Sequence, residues 1–131
     1  MVECELARII INENSSEQFI FLREKNGSRQ FPIVIAIIEA MAIDRFVKGE
    51  TTQRPLTHEL LTTTIRSLGA EVVRTEVTKL ENKTFFANLV LRRNGSKIEI
   101  DARPSDAIAV AVQFAAPLFV HEDVLEEVQS G

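Results

Sequence analysis

The sequence of 131 residues lacks tryptophan and tyrosine, has one cysteine and contains no long apolar run. The single thiol, Cys4, excludes an internal disulfide framework and a multi-cysteine zinc site, and it is typical of the reducing cytosol. The nearest candidate for a membrane helix, residues 107–120, is shorter than the ~20 residues required and is interrupted by Gln113 and Pro117. The acidic start Met1–Glu5 differs from a basic secretory signal. These absences predict a cytoplasmic protein that does not bind a membrane.

An excess of positive charge is also missing. The chain has 15 lysine and arginine residues against 19 aspartate and glutamate residues, a net charge of −4. Non-specific nucleic-acid binding normally depends on a basic surface, and exposed bases stack on aromatic side chains, of which only phenylalanine is present. Binding to a nucleic acid would therefore require a local cationic patch or a metal ion.

Glycine and asparagine divide the chain into short elements. The Asn-Gly pairs at 26–27 and 94–95 are typical of tight hairpins, and Gly49 and Gly69 are typical of helix C-terminal caps. The pattern predicts strands near residues 3–12, 17–25, 30–35, 70–80, 83–93 and 96–102, and helices near 37–48, 57–68, 104–114 and 121–128. The order β-β-β-α-α therefore occurs twice. Antiparallel pairing is expected, because tight turns cannot join parallel strands.

Similar residues recur at matching positions of the two halves. The matches are Asn26-Gly27 with Asn94-Gly95, Glu39-Ala40 with Asp106-Ala107, and His58-Glu59 with His121-Glu122. They predict one domain over residues 1–131, built by duplication of about 1–69 and 70–131. The expected fold class is α+β, with a duplicated β-β-β-α-α motif, antiparallel sheets, segregated helices and a pseudo-twofold axis. The mainly apolar helices at 37–48 and 104–114 would lie in the middle, and a free sheet edge or helix face would allow self-association.

One acidic residue, Glu39, interrupts the apolar helix that is predicted over 37–48. Burial of an unpaired carboxylate is costly, so Glu39 should have a partner or be protonated. Two interpretations stay open: a structural ion pair or capping role near the helix start, and a metal ligand or acid–base group.

The segment Asp101–Ala107, which reads Asp-Ala-Arg-Pro-Ser-Asp-Ala, is the most informative part of the sequence. Pro104 fits the first position of a helix, and Asp106 then lies in the first turn, where the helix dipole favours negative charge. Asp101 could cap this helix or pair with Arg103. Capping explains each residue separately, but two acids and an arginine at one strand–helix junction also favour a functional site.

A second arginine–proline pair, Arg54-Pro55, precedes the helix that is predicted over 57–68. The free N–H groups of a helix start and an adjacent guanidinium group both bind anions. Arg54 and Arg103 would therefore form a phosphate-binding pocket if the fold brings them together. His58 is a candidate general base, because histidine ordinarily titrates near neutral pH. The alternative is that His58 is an ordinary surface residue.

The chain resembles the bifunctional nuclease domain family of bacteria and plants over nearly its whole length. The resemblance rests on Phe31-Pro32-Ile33, Glu39-Ala40, Arg54–Leu61, Leu68-Gly69-Ala70 and, most specifically, Asp101–Ala109. It implies a duplicated α+β fold, oligomerisation, and hydrolysis of DNA and RNA with little sequence preference. The polar motif positions of the family fall on Glu39, Arg54, His58, Asp101, Arg103, Ser105 and Asp106. The sequence departs from the family's usual pattern at two places. Ile35-Ala36-Ile37 stands where a glycine-containing stretch is usual, and Glu59 stands where aspartate is often found. Neither departure changes the polar set.

Phosphodiester hydrolysis is the function that we predict first. The catalytic candidates are Glu39, His58, Asp101 and Asp106, and the substrate-binding candidates are Arg54, Arg103 and Ser105. The candidate cofactor is Mg²⁺ or Mn²⁺, held by Glu39, Asp101 and Asp106. The expected partners are DNA and RNA as substrates and a second copy of the chain in a homodimer. Two alternatives stay open: a non-enzymatic oligomeric interaction module, and a protein that binds a small phosphorylated ligand.

Overall fold

The computed structural model describes residues 1–130 and has an α+β fold. In these residues the strands are β1 (Val2–Ile10), β2 (Gln18–Glu24), β3 (Gln30–Ile35), β4 (Ala70–Glu81), β5 (Thr84–Arg93), β6 (Ser96–Ala102) and β7 (Leu118–Val120). The helices are α1 (Ile37–Val47), α2 (Thr57–Ser67), α3 (Pro104–Ala111) and α4 (Glu122–Ser130), and a 3-10 helix spans Val112–Phe114. The predicted α+β class is confirmed. In the described part of the chain, every helix is too short or too polar to cross a membrane.

The strands form one mixed sheet in the order β3-β2-β1-β7-β4-β5-β6. The expectation of separate, purely antiparallel sheets is therefore wrong. The short strand β7 pairs antiparallel with β1 and parallel with β4, and it joins the two halves into one sheet. The parallel pair is compatible with the chain, because a long connection through β5, β6 and α3 separates β4 from β7.

The turns follow from local residue chemistry. Asn94 and Gly95 both have positive φ angles, of 50° and 77°, which are the conformations of a two-residue hairpin turn between β5 and β6. Asn82 and Lys83, with φ angles of 49° and 65°, form a similar turn between β4 and β5. Gly69, with a φ of 76°, ends α2 as a left-handed cap, as the sequence predicted.

The core lies between one face of the sheet and the helices. Five consecutive α3 residues, from Ala107 to Ala111, are buried, so the expectation of a central helix is confirmed for α3. It is wrong for α1, on which Ile38 is 66% exposed and Val47 is 61% exposed. Only one side of α1 packs against the core, through Ala40, Ala42 and Ile43. The all-round apolar pattern of α1 therefore does not reflect burial on all sides.

The second half places a 3-10 helix and β7 between α3 and α4, whereas α1 and α2 are joined by a loop. The shorter spacing between matching residues has another source, because α3 has 8 residues and α1 has 11, and because His121 precedes α4 whereas His58 lies within α2. The duplication itself and the pseudo-twofold axis stay predictions.

An arginine connects the β2–β3 hairpin to α4. Arg29 Nε lies 2.8 Å from Glu24 Oε1, and Arg29 Nη1 lies 2.7 Å from Glu122 Oε2. A Cβ atom added at Gly27 would overlap the Glu24 carboxylate, so a larger residue there would displace the group that binds Arg29. Hydrogen bonds from Arg29 hold the pKa values of Glu24 and Glu122 below their ordinary value.

Replacement of Arg29 by methionine is expected to lower the melting temperature by several degrees at neutral pH. Because the folded-state pKa values of both carboxylates are lowered, their stabilising effect is present above the ordinary value of 4.5 and is lost as the pH falls through the folded-state values. The difference between wild type and Arg29→Met should therefore shrink between neutral pH and about pH 3, as measured by circular dichroism. Arg93→Met, at an exposed residue without an ion pair in residues 1–130, is the control. A difference for Arg29→Met that stays constant with pH would contradict this prediction.

Candidate active site

Two strand–helix junctions carry the candidate site. Helix α1 begins directly after β3, and α3 begins directly after β6. Glu39 lies in the first turn of α1, and Asp106 lies in the first turn of α3. Because α1 packs against α3, the two helix starts and their acidic residues lie close together in space. Each carboxylate therefore meets the positive end of a helix dipole.

Arg103 lies between these two acids. Its Nη2 atom is 3.3 Å from Glu39 Oε1 and 2.8 Å from Asp106 Oδ2, and its Nε atom is 2.9 Å from the same Asp106 oxygen. The hydrogen bond to Asp106, followed by the charges of Asp106 and Glu39, raises the pKa of the guanidinium group above its ordinary value. The Arg103 side chain is 65% exposed, whereas the Glu39 side chain is only 6% exposed. The charged and solvent-accessible Arg103 side chain is thus fixed by ion pairs with two carboxylates.

Glu39 has one further polar neighbour. The hydroxyl group of buried Ser105 donates to Glu39 Oε1 over 3.4 Å, at the long end of the hydrogen-bonding range. Burial of a carboxylate is tolerated when it is paired and hydrogen-bonded, and Arg103 and Ser105 fulfil this condition. The two interpretations of Glu39 that the sequence left open are therefore compatible, since the residue has an ion pair and also lies at the candidate site.

His58 joins the cluster from a third element. It lies near the start of α2, it is buried, and its Nε2 atom is 2.9 Å from Asp106 Oδ1. Asp106 thus binds His58 through one carboxylate oxygen and Arg103 through the other. The interpretation of His58 as an ordinary surface residue is wrong, because α2 turns this side chain inward against α3.

A cavity of about 460 Å³ opens beside the cluster. Its wall includes the cluster residues Glu39, Arg103 and Ser105. The β4–β5 hairpin contributes Lys83 and Phe85 to the same wall, and the Phe85 ring stacks on Phe31 with 5.8 Å between the ring centroids. The cavity therefore combines two cations and an aromatic side chain with buried acidic and hydroxyl groups.

Two sequence candidates lie outside the cluster. Asp101 pairs with Asn88 across β5 and β6, whereas the next pair, Ala87 and Ala102, faces the core below α3. Side chains alternate between the faces of a strand, so the exposed Asp101 side chain points away from the helices and from Asp106. Arg54 lies in the exposed loop before α2, where its backbone carbonyl accepts a hydrogen bond from Thr52. The phosphate pocket that Arg54 and Arg103 would share stays a prediction.

The donor set at the cluster does not match a resident metal site. In residues 1–130, no group of three or more His, Cys, Asp and Glu side chains is arranged to hold a metal ion. Glu39 and Asp106 each bind Arg103, whose positive charge already lies between them. Asp101, the third carboxylate expected to bind the ion, lies on the other face of the sheet.

The sequence interpretation missed Lys83 and Phe85, which line the cavity. The signal for Lys83 was the pair Asn82-Lys83 between two strand-like segments, because asparagine favours the left-handed conformation that such a turn requires. No local pattern connects this hairpin to the helix starts, since their contact depends on the tertiary fold.

The fold and the acid–arginine cluster define an α+β protein with a charged junction of two helix starts, and comparison with known proteins identifies its family. The model of the bifunctional nuclease domain matches residues 20–130. The uncharacterized protein Rv1829 of Mycobacterium tuberculosis is 36% identical over 127 residues, which cover 97% of this chain and 76% of that protein. Bifunctional nuclease 2 of Oryza sativa is 28% identical over 118 residues, and these cover 87% of this chain and 36% of the plant protein. The chain belongs to the bifunctional nuclease domain family.

Another plant relative supports the same assignment. Bifunctional nuclease 1 of Arabidopsis thaliana is 28% identical over 121 residues, which cover 86% of this chain and 37% of that protein. The family resemblance that the sequence motifs indicated is therefore confirmed. The matched region is about a third of each plant nuclease, so the activity of the whole plant proteins reaches this chain only as a proposal.

Proposed function

We propose that this protein is a nuclease that hydrolyses phosphodiester bonds in DNA and RNA with little sequence preference. The observation that carries the proposal is the exposed Arg103 guanidinium group, held by Glu39 and Asp106 at a cavity. A fixed arginine binds phosphate well, because its remaining N–H groups are already oriented. Membership in the bifunctional nuclease domain family supports the same function.

The local charge of the cavity supports binding of a polyanion by an acidic protein. Lys83 and Arg103 both line the cavity, and Phe85 offers an apolar ring to a base or sugar. Phosphate contacts carry no sequence information, so binding through these cations agrees with little sequence preference.

Glu39 is the proposed general base. In this mechanism water attacks the phosphorus atom while Glu39 accepts a proton from that water. The bond between phosphorus and the leaving oxygen breaks, and this oxygen takes a proton from solvent. Arg103 stabilises the negative charge that develops on the phosphate oxygens, and the Ser105 hydroxyl group orients Glu39. Because the nucleophile is water and not a ribose hydroxyl group, both DNA and RNA are substrates.

His58 is proposed to act as a positioning residue. Its Nε2 atom binds Asp106, which in turn binds Arg103, and its side chain is buried. It therefore holds the Asp106 carboxylate in the orientation that fixes the guanidinium plane. The direct proton transfer by His58, and the roles of Arg54 and Asp101 in binding and catalysis, stay predictions from the sequence.

The requirement for Mg²⁺ or Mn²⁺ also stays a prediction. Since the donor set at Glu39 and Asp106 does not match a resident metal site, the catalytic steps above use side chains and water alone. Cleavage after chelation, with each ion added back separately, measures the requirement.

The proposed function is tested with Asp106→Asn, which keeps the size of the side chain but weakens its bonds to both His58 and Arg103. We expect cleavage of labelled single-stranded DNA and RNA to slow by about a hundredfold or more. Asp44→Asn is the matched control, because Asp44 lies on α1 in an ion pair with Lys48 away from the cavity. Equal cleavage by all three purified proteins would assign the activity to a contaminant or another site. Nucleotide binding by a wild-type protein without cleavage would instead favour the small-ligand alternative.

A further inference from the structure

The sheet has two edges, and the structure protects only one of them. At the β3 edge, Pro32 lacks an N–H group, and the Gln129 side chain donates to the Gln30 carbonyl over 3.1 Å. Proline and covering side chains are common means of preventing edge-to-edge pairing. At the other edge, β6 contains no proline, and its residues from Ser96 to Asp101 are exposed.

The two faces of β6 differ in chemistry. Ile98 and Ile100 pair with Leu91 and Leu89 of β5, so they lie on the face that the helices cover further along the sheet. They are nevertheless 39% and 42% exposed. The opposite face of β6 carries three charged side chains, Lys97, Glu99 and Asp101. The strand is thus apolar on one side and charged on the other, up to an open edge.

We propose that β6 pairs antiparallel with β6 of a second copy, about a twofold axis at Glu99. Antiparallel strands place residues opposite each other whose numbers are equidistant from the centre. Ile98 then faces Ile100 of the second copy on the apolar side. Lys97 faces Asp101 of the second copy on the charged side, and both contacts occur twice. The two sheets become one continuous sheet.

The order of charges favours a second copy over a foreign strand. Lys97 and Asp101 are equally distant from Glu99 and opposite in charge, so the strand is complementary to itself in this register. The two central glutamates face each other, but each lies 2.9 Å from the Lys97 ammonium group of its own strand, which offsets their repulsion. This arrangement also gives Asp101 a position at an interface, although the cluster at Arg103 does not include it.

The first measurement is the mass of the full chain by sedimentation velocity over a range of concentrations. We expect a reversible dimer of twice 14.7 kDa. Each of Lys97→Asp and Asp101→Lys should weaken the dimer by about tenfold, because like charges then face each other at two positions. The proposal would be overturned if the chain stays monomeric at all concentrations, or if the only complex found is one with a different protein.

A mixing experiment distinguishes this register from other interfaces. When Lys97→Asp and Asp101→Lys proteins are mixed, every cross-strand pair again joins opposite charges, and the dimer should recover. The double variant should recover as well. Lys79→Asp is the matched control, since Lys79 also precedes an acid by two residues but lies on the interior strand β4. Dimers that weaken in neither single variant, or that do not recover on mixing, would overturn the register. None of these measurements depends on nuclease activity.

Discussion

Replacement of Arg103 by glutamine is expected to slow phosphodiester cleavage by about a thousandfold or more. The guanidinium group is the exposed cation at the cavity, and glutamine cannot offset the charge that develops on the phosphate oxygens. We expect kcat to fall and KM to rise, because arginine contacts the phosphate before and during bond breaking. Arg103→Lys keeps the charge but loses the fork that binds Asp106 at two nitrogens, so its rate should be intermediate.

The stability of the Arg103 variant needs a separate measurement. Removal of the guanidinium group leaves the buried Glu39 carboxylate without its cation, and this should lower the melting temperature. The double variant Arg103→Gln, Glu39→Gln removes both charges, so we expect it to regain stability without regaining activity. A single variant that cleaves at the wild-type rate would show that Arg103 does not bind the scissile phosphate.

The fold follows from the sequence wherever local chemistry decides it. Asn94-Gly95 specifies the turn between β5 and β6, and Gly69 ends α2, because only a few residues adopt left-handed φ angles without strain. The strand β7 could not be predicted in this way. Three residues are too few to show a period, and the pairing of β7 with β1 and β4 depends on contacts more than forty residues apart in sequence.

In the candidate site, too, some features follow from local sequence and others depend on the tertiary fold. The first-turn positions of Glu39 and Asp106 follow from helix patterns and from Pro104. Arg103 directly precedes Pro104 in the sequence, so its place beside Asp106 follows as well. The position of Asp101 outside the cluster follows from strand alternation, because Ala102 faces the core and the preceding residue must face away. That inference required the register of β6, which the sequence did not supply. The contact of His58 with Asp106 likewise depends on how α2 packs against α3.

Among the substitutions proposed here, replacement of Ile43 by alanine is expected to lower the free energy of unfolding the most. Ile43 is fully buried in the main core cluster, one turn after Glu39 on α1. Loss of a buried isoleucine side chain costs about 2–5 kcal/mol through lost transfer energy and the cavity that remains. For a chain of this size we expect a fall in melting temperature of about 10 °C. Thermal unfolding by circular dichroism or calorimetry measures it.

The same helix provides the control for this prediction. Ile38→Ala removes the same atoms from a side chain that is 66% exposed, so its effect on the free energy of unfolding should stay within about 1 kcal/mol. Helix propensity favours alanine over isoleucine, which further reduces the destabilisation expected for Ile38→Ala. Ile43→Ala also loosens the helix that carries Glu39, so cleavage should decline at temperatures below its unfolding transition, whereas Ile38→Ala should cleave normally. Equal stability of the two variants would mean that α1 is not anchored to the sheet through Ile43.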